Sequence, residues 1–207
     1  MSAERGRRQG YQPVWEDGRE HGVGWRDASG RYDAIKRYLV GRQARTDLRQ
    51  FTAPSVLDIG AYNGYFCRRL ADDYHARCLA VDGQPFLEEY TAPGGGHVDV
   101  LHALWSPDDI KAAPPFDIVL CLSVLHHWPN WSEFMDAMST IGTTLFVELA
   151  NPWENLSNDA REIARSALSD MRKTDNAKVI AQTPPMSHQT LLRPMFVIET
   201  RKAYIDA

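Results

Sequence analysis

Apolar positions along the 207-residue chain change their spacing several times, and each change marks an element. Tyr32, Ile35 and Leu39, with Leu48, recur at helical spacing and predict a helix over residues 31–49. Pro54 interrupts that pattern before the compact apolar run Val56–Ile59, a short strand. From Gly64 the spacing returns to helical, with Phe66 and Leu70 placed to pack on the strand. Further strands are expected at Ala76–Val81, ending on Asp82, at Val98–Leu101 after the turn Pro93-Gly94-Gly95-Gly96, at Phe116–Leu122, and at Thr143–Leu149. Helices are expected at Trp131–Met138 and at Asn158–Met171, the latter with Ala160, Ile163, Ala167, Leu168 and Met171 on one broad apolar face. Lys178–Ala181 and Met195–Thr200 read as two final strands, close enough in sequence to be antiparallel neighbours.

Buried strands alternating with helices specify an α/β fold around a mainly parallel sheet, not an all-helical or all-β domain. Residues 1–24 are rich in glycine and show no sustained period, so they read as irregular chain with Tyr11, Val14 and Trp15 as anchors. No internal repeat appears, and no linker divides the chain into two substantial units. The expected organisation is an N-terminal arm or partial lid over residues 1–27 and a single domain over 28–207.

Composition narrows the class without changing that picture. With 43% hydrophobic and 24% charged residues, the chain can bury one core without disulfide staples. The formal charge of -4 gives no general reason to expect a polyanion-binding surface; Arg5, Arg7 and Arg8 make only the extreme N-terminus basic, and read as a solvated terminus. Cys67, Cys78 and Cys121 each lie in or beside an apolar run, away from metal-ligand spacing, which suits buried thiols in a reducing compartment. Without a signal-peptide pattern or an apolar run near the roughly 20 residues of a membrane span, a cytoplasmic protein is expected. No metal constellation is seen: the seven histidines are scattered, and His188 in TPPMSH reads as a loop residue.

The chemistry concentrates at VLDIGAYNGYF, residues 56–66. Asp58, Gly60 and Gly64 fall where the first strand of the parallel series gives way to its helix, and ligands of open parallel sheets collect at such strand ends. Glycine permits close backbone approach, and a new helix offers unpaired amide donors. Asp82 ends the next strand 24 positions later, where one carboxylate can accept both hydroxyls of a ribose. The turn lacks the G-x-G-x-x-G arrangement of dinucleotide dehydrogenases, and no G-x-x-x-x-G-K-[ST] phosphate loop is present.

These segments resemble the class I S-adenosylmethionine-dependent methyltransferase family. VLDIGAYNGYF is similar to its first cofactor motif, VDGQP to the acidic end of its second strand, and FDIVLCLSVLHHW to its fourth strand and substrate-facing loop. The resemblance covers residues 50–150 best and departs from the commonest pattern at Tyr62, where glycine is frequent. It implies a Rossmann-like fold with a seven-stranded, mainly parallel sheet and a C-terminal antiparallel strand. It implies S-adenosyl-L-methionine as cofactor, bound by Asp58, Gly60, Ala61, Tyr62, Gly64, Asp82 and Gly83.

Methyl transfer from a sulfonium depends on in-line positioning, with a base for hydroxyl or protonated nitrogen acceptors. His126 and His127, just after the fourth strand, are the candidates for that base, with Glu148 a third catalytic candidate; each also has a structural alternative. Tyr11, Trp128, Asn151 and Trp153 are the candidate substrate contacts. The expected acceptor is an oxygen or nitrogen of a small-molecule metabolite, with natural-product tailoring as a setting, no membrane partner, and a monomer or homodimer. Two alternatives stand beside it. CLSVLHHWPNW followed by LFVELANPW is distantly similar to the RNA 5'-phosphate methyltransferase branch, which makes a small RNA the rival acceptor, and a catalytically inactive cofactor-binding protein would keep the same glycines and acids.

Overall fold

The computed structural model describes residues 10–45, 53–184 and 191–200. Arg5, Arg7, Arg8, Leu48 and His188 lie outside them. In chain order the elements are β1 (Val14–Glu16), β2 (Arg19–His21), α1 (Ala28–Arg45), β3 (Ser55–Ile59), α2 (Tyr65–Tyr74), β4 (Arg77–Asp82), β5 (Tyr90–Thr91), β6 (His97–His102), α3 (Pro107–Ala112), β7 (Phe116–Leu122), α4 (Trp131–Ile141), β8 (Gly142–Glu148), α5 (Asn158–Met171), β9 (Ala177–Thr183) and β10 (Arg193–Glu199). The expected strands and helices are present, most displaced by one to three residues at their ends.

The central sheet has eight strands in the order β5-β6-β4-β3-β7-β8-β10-β9. Strands β6, β4, β3, β7 and β8 are parallel, and β10 runs antiparallel between β8 and β9. The strand beyond the expected seven is β5, which pairs only Tyr90 with Val98 and Thr91 with His97. Two residues are too few to carry an alternation, so no sequence period could reveal it. The glycine run closes this hairpin, with Gly95 at φ 92° and the Ala92 amide bonded to the Gly96 carbonyl at 2.8 Å.

Alternation along the buried strands feeds two cores, one on each face of the sheet. Val56, Ile118 and Phe146 pack with Tyr32, Ile35 and Leu39 of α1 and Phe66 and Leu70 of α2. Leu57, Val119, Leu145 and Val147 pack with Phe134 and Met138 of α4 and Ala167 and Met171 of α5. On α5 the deepest positions are Ala164, Ala167 and Met171, so the buried stripe is narrower than the sequence face. The period-2 rule also sends Asp58 and Glu148 to the α1 and α2 face, the same side as Val56 and Phe146.

Residues 10–26 are ordered, which corrects the irregular reading of this segment. β1 and β2 form a hairpin, and a bridge between Gly10 and Gly24 closes its base. A side chain at Gly24 would lie 2.5 Å from the Gln12 Cα, so the two chain ends can cross only at glycine. The hairpin is held on α2: Trp15 meets Tyr65 edge-on at 6.3 Å and donates to Asp72, and the Arg69 guanidinium lies 4.6 Å over the Trp15 ring. Short strands without alternation, set off by Asp17 and Gly18 at positive φ, explain why the pattern stayed silent.

Phe146 is fully buried and takes the edge of Tyr38 at 5.7 Å. Phe146→Ala is expected to cost about 3–5 kcal/mol of stability. Urea unfolding would show this as a lower midpoint at unchanged slope; a loss below about 1 kcal/mol would contradict the packing described.

Candidate functional site

A cavity of about 500 Å³ opens at the carboxyl ends of the parallel strands. It lies where the chain order reverses, between β3, whose successor β4 sits on one side, and β7 on the other, the place where open α/β sheets bind ligands. Ile59 and Gly60 come from the end of β3, Val81 to Gln84 from the end of β4, Ala103 to Trp105 from the segment after β6, and Leu122 to Val124 from the end of β7. His126, His127 and Trp128 follow on a short 3-10 turn over Leu125–His127.

The turn after β3 is tightly closed. The amides of Gly60 and Ala61 both donate to the Val81 carbonyl, at 2.8 and 3.2 Å, and Gly64 donates to Ala61 at 2.9 Å. The first amide of α2, on Tyr65, is taken by the Asn63 side chain at 3.3 Å. These donors are therefore committed within the protein, unlike the open helix terminus expected from the glycines. Gly60 has φ 78°, and a Cβ there would meet Val124 at 2.3 Å; this glycine brings the backbone against the β7 loop. Tyr62 takes φ 56° and places its ring in the cavity wall, 5.6 Å from Tyr11 and 5.1 Å from Phe86.

Asp82 is presented by the backbone. One carboxylate oxygen accepts the Tyr62 amide at 2.8 Å, the other the Gln84 amide at 2.8 Å. Each oxygen keeps a further acceptor direction, and both belong to a residue that lines the cavity. Asp58 is different: it is buried, accepts the Cys67 thiol, and does not line the cavity. Burial, followed by the neighbouring Asp82 charge, lifts its carboxyl to about 7.

The two histidine rings lie 4.0 Å apart and tilted by 39°, with His126 buried and His127 exposed. Burial, then His127 and Arg193, push the His126 imidazole down to about 3, and burial with Arg193 also lowers His127. Both rings are therefore neutral at pH 7. The Nδ1 atom of His126 is buried and has no hydrogen-bond partner among the described residues.

Glu148 does not line the cavity but underlies its rim, fully buried. One of its oxygens pairs with Arg26 at 2.6 Å and the other with Arg31 at 3.5 Å, while Ser123 and Thr183 donate their hydroxyls. Burial raises this carboxyl, but Arg31, Arg26 and the two hydroxyls outweigh it and hold it below the usual 4.5. A carboxylate so committed is a structural anchor. Asn151 and Trp153 are also absent from the cavity wall: Asn151 ties the loop to the Leu192 carbonyl at 3.0 Å, and Trp153 is 75% exposed.

Thus the cavity gathers Tyr11, Gly60, Tyr62, Asp82, Gly83, His126, His127 and Trp128 from the sequence-derived set, and leaves Asp58, Ala61, Gly64, Glu148, Asn151 and Trp153 out of its wall. Sequence reasoning missed Gln84, Trp105, Ser123 and Arg193. Trp105 and Ser123 follow strand ends, the rule already used for Asp82. Arg193 begins a buried strand, and because β10 is antiparallel, its first residue reaches the edge where the parallel strands end.

The family described as Methyltransferase domain matches residues 24–170, more than two thirds of the chain. No curated protein matches the chain in sequence. Among solved structures, the bifunctional kinase-methyltransferase WbdD superposes with a TM-score of 0.67 at 17% identity, over 85% of this chain and 40% of that one. The chain thus spans about two fifths of the WbdD length. The N-terminal domain of EvdMO1, in the presence of SAH and D-fucose, gives 0.55 at 14% identity over 91% of this chain and 90% of that one. Magnesium protoporphyrin IX methyltransferase (ChlM) from Synechocystis PCC 6803, with bound SAH, gives 0.53 at 14% identity over 83% and 82%.

Removing the Glu148 carboxylate would leave Arg26 and Arg31 buried without their shared counter-ion. Glu148→Ala is expected to lose about 3–5 kcal/mol. Because the folded carboxyl titrates below its unfolded value, the stabilisation is complete above pH 4.5 and fades as pH falls further. Unfolding titrations across that range should show a shallower acid limb in the variant; equal stability at pH 7 would refute the anchor.

Proposed function

The chain belongs to the class I S-adenosylmethionine-dependent methyltransferase family, and from that membership we propose that it methylates an oxygen or nitrogen of a small-molecule metabolite in this cavity. The observation that carries the reading is the Asp82 carboxylate, fixed by the Tyr62 and Gln84 amides at the mouth of the β3 turn. Its remaining acceptor directions suit a pair of vicinal hydroxyls, while Gly60 and Tyr62 give the cofactor a close backbone and an aromatic wall. S-adenosylmethionine supplies a methyl group activated by a sulfonium. Trp105 and Leu104 add apolar surface beyond Asp82.

The 3-10 turn after β7 brings His126 and Trp128 to the acceptor side. A neutral imidazole with a free Nδ1 can bond to an acceptor hydroxyl, amine or carboxyl. Its depressed basicity makes it a poor proton sink, since a general base works best with a pKa near the working pH. Positioning is therefore the main contribution assigned to His126, with Tyr11, Trp128 and His127 shaping the same space. A compact acceptor fits a cavity of this size, and the EvdMO1 domain of the same fold was crystallised in the presence of SAH and a single sugar.

Three outcomes separate the readings. Purified protein with radiolabelled S-adenosylmethionine should transfer label into a metabolite fraction; label in a small-RNA fraction would favour the RNA reading, and cofactor binding without transfer to either would favour an inactive binder. Asp82→Ala should weaken SAH binding about tenfold or more, measured by calorimetry. His126→Ala should lower transfer with the acceptor so identified while leaving SAH affinity within about twofold. Equal rates for wild type and variant at saturation would remove His126 from the acceptor site.

A further inference from the structure

One wall of the cavity carries a cation, on the β10 side of the sheet edge and away from Asp82. Arg193 lines the cavity and is 8% exposed. Its Nε and Nη2 bind Glu154, at 2.8 and 2.5 Å, as a bidentate pair. Its Nη1 has no hydrogen-bond partner among the described residues. Glu154 is itself fixed by the Asn151 amide at 2.8 Å, so the guanidinium is held as a rigid fork with one edge unspent.

The surroundings make that edge attractive to an anion. Behind the rim, Arg26 and Arg31 share the single carboxylate of Glu148. Three guanidiniums thus face two carboxylates, an excess of one positive charge. Asp58, which also feels Arg31, is at most a partial counter-charge, because burial holds its carboxyl near 7. Asp82, the one carboxylate in the cavity wall among the described residues, sits at the end of β4, four strand steps from β10, roughly 19 Å along the sheet edge. The cavity is therefore negative at its Asp82 end and positive at its Arg193 end.

A second feature points the same way. His126, 7% exposed and in the same wall, has a buried Nδ1 that nothing among the described residues satisfies. Such atoms are rare because an unmade buried hydrogen bond costs about 1–3 kcal/mol. Tyr11 adds a phenol to the wall and is close enough to Arg193 to interact with its charge.

We infer that Arg193, flanked by His126 and Tyr11, forms a subsite for an oxyanion carried by the methyl acceptor, a carboxylate or a phosphate monoester. The inference rests on this cavity being the cofactor and acceptor site, and narrows the acceptor from metabolites in general to acidic ones. Arg193 grips one face of the oxyanion through Nη1 while Glu154 keeps the fork from turning. Asp82 repels the same group at the far end, so the acceptor enters in one orientation.

The test uses the full chain saturated with SAH, titrated at low ionic strength with benzoate, phenyl phosphate and the neutral isostere benzamide, and followed by calorimetry. One of the two anions is expected to bind about tenfold or more tightly than benzamide, and the tighter one assigns the source of the oxyanion. Arg193→Gln should abolish that preference while SAH affinity stays within about twofold. The double variant Arg193→Gln/Glu154→Gln, which leaves no unpaired charge, should do the same and covers the case in which the single variant does not fold. Anions binding no better than benzamide, or a preference that survives in the variants, overturns the inference with the cofactor still bound. Failure to bind SAH at all would instead overturn the reading of the cavity on which it rests.

Discussion

The buried Glu148 carboxylate and its two arginines are the constraint on which the rim of the cavity depends. Glu148 ends β8, Ser123 follows β7, Thr183 ends β9, and Arg26 and Arg31 lie just before and within the start of α1, so four side chains converge on the two oxygens of Glu148. Burying an ion costs several kcal/mol, and only a full set of partners offsets that cost. The geometry is unforgiving for the same reason: a partner displaced by an ångström leaves charge unpaired in a low dielectric. Arg26 also reaches the Pro184 carbonyl at 2.5 Å, tying the N-terminal segment to the end of β9.

From this centre a hydrogen-bond chain runs to the turn after β3. Arg31 donates to Gln12 at 3.3 Å, Gln12 to Asn63 at 2.7 Å, and Asn63 accepts the first amide of α2. Asn63 also donates to the Pro13 carbonyl at 3.0 Å. Residues 10–13 are thereby stapled between β8 and the turn after β3, which is why Tyr11 stands in the cavity wall. The N-terminal segment is part of the site's construction, and its contribution comes from polar side chains that apolar patterning does not register.

The buried layers were legible in the sequence because their cause is local. Val56–Ile59, Phe116–Leu122 and Asn158–Met171 are set by runs and periods that burial imposes on any chain. Asp82 was legible for a related reason: an acid closing a buried strand needs a task. Glu148 obeys the same rule, yet its task depends on Arg26 and Arg31, more than a hundred residues away, and no pattern couples them. Glu148, which sequence offered as a catalytic candidate beside a structural role, is held by two arginines and two hydroxyls beneath the rim, while Arg193, two residues before the expected start of the last strand, reaches the cavity.

Tyr62 shows how the two ends of this construction meet. A non-glycine residue at φ 56° costs about 1–2 kcal/mol relative to glycine. Glycine would remove that strain but also the ring, which touches Tyr11 on one side and Phe86 on the other. Aromatic pairs of this kind contribute about 0.5–1.5 kcal/mol each beyond their buried area, enough to offset the backbone cost. The same residue donates its amide to Asp82, so the strained turn that carries the ring also orients the carboxylate. A tyrosine at a position where glycine would be easier therefore couples the N-terminal segment to the acid at the far end of the cavity: motion of Tyr11 away from the wall would release the ring, and with it the strongest reason for the turn to stay as it is.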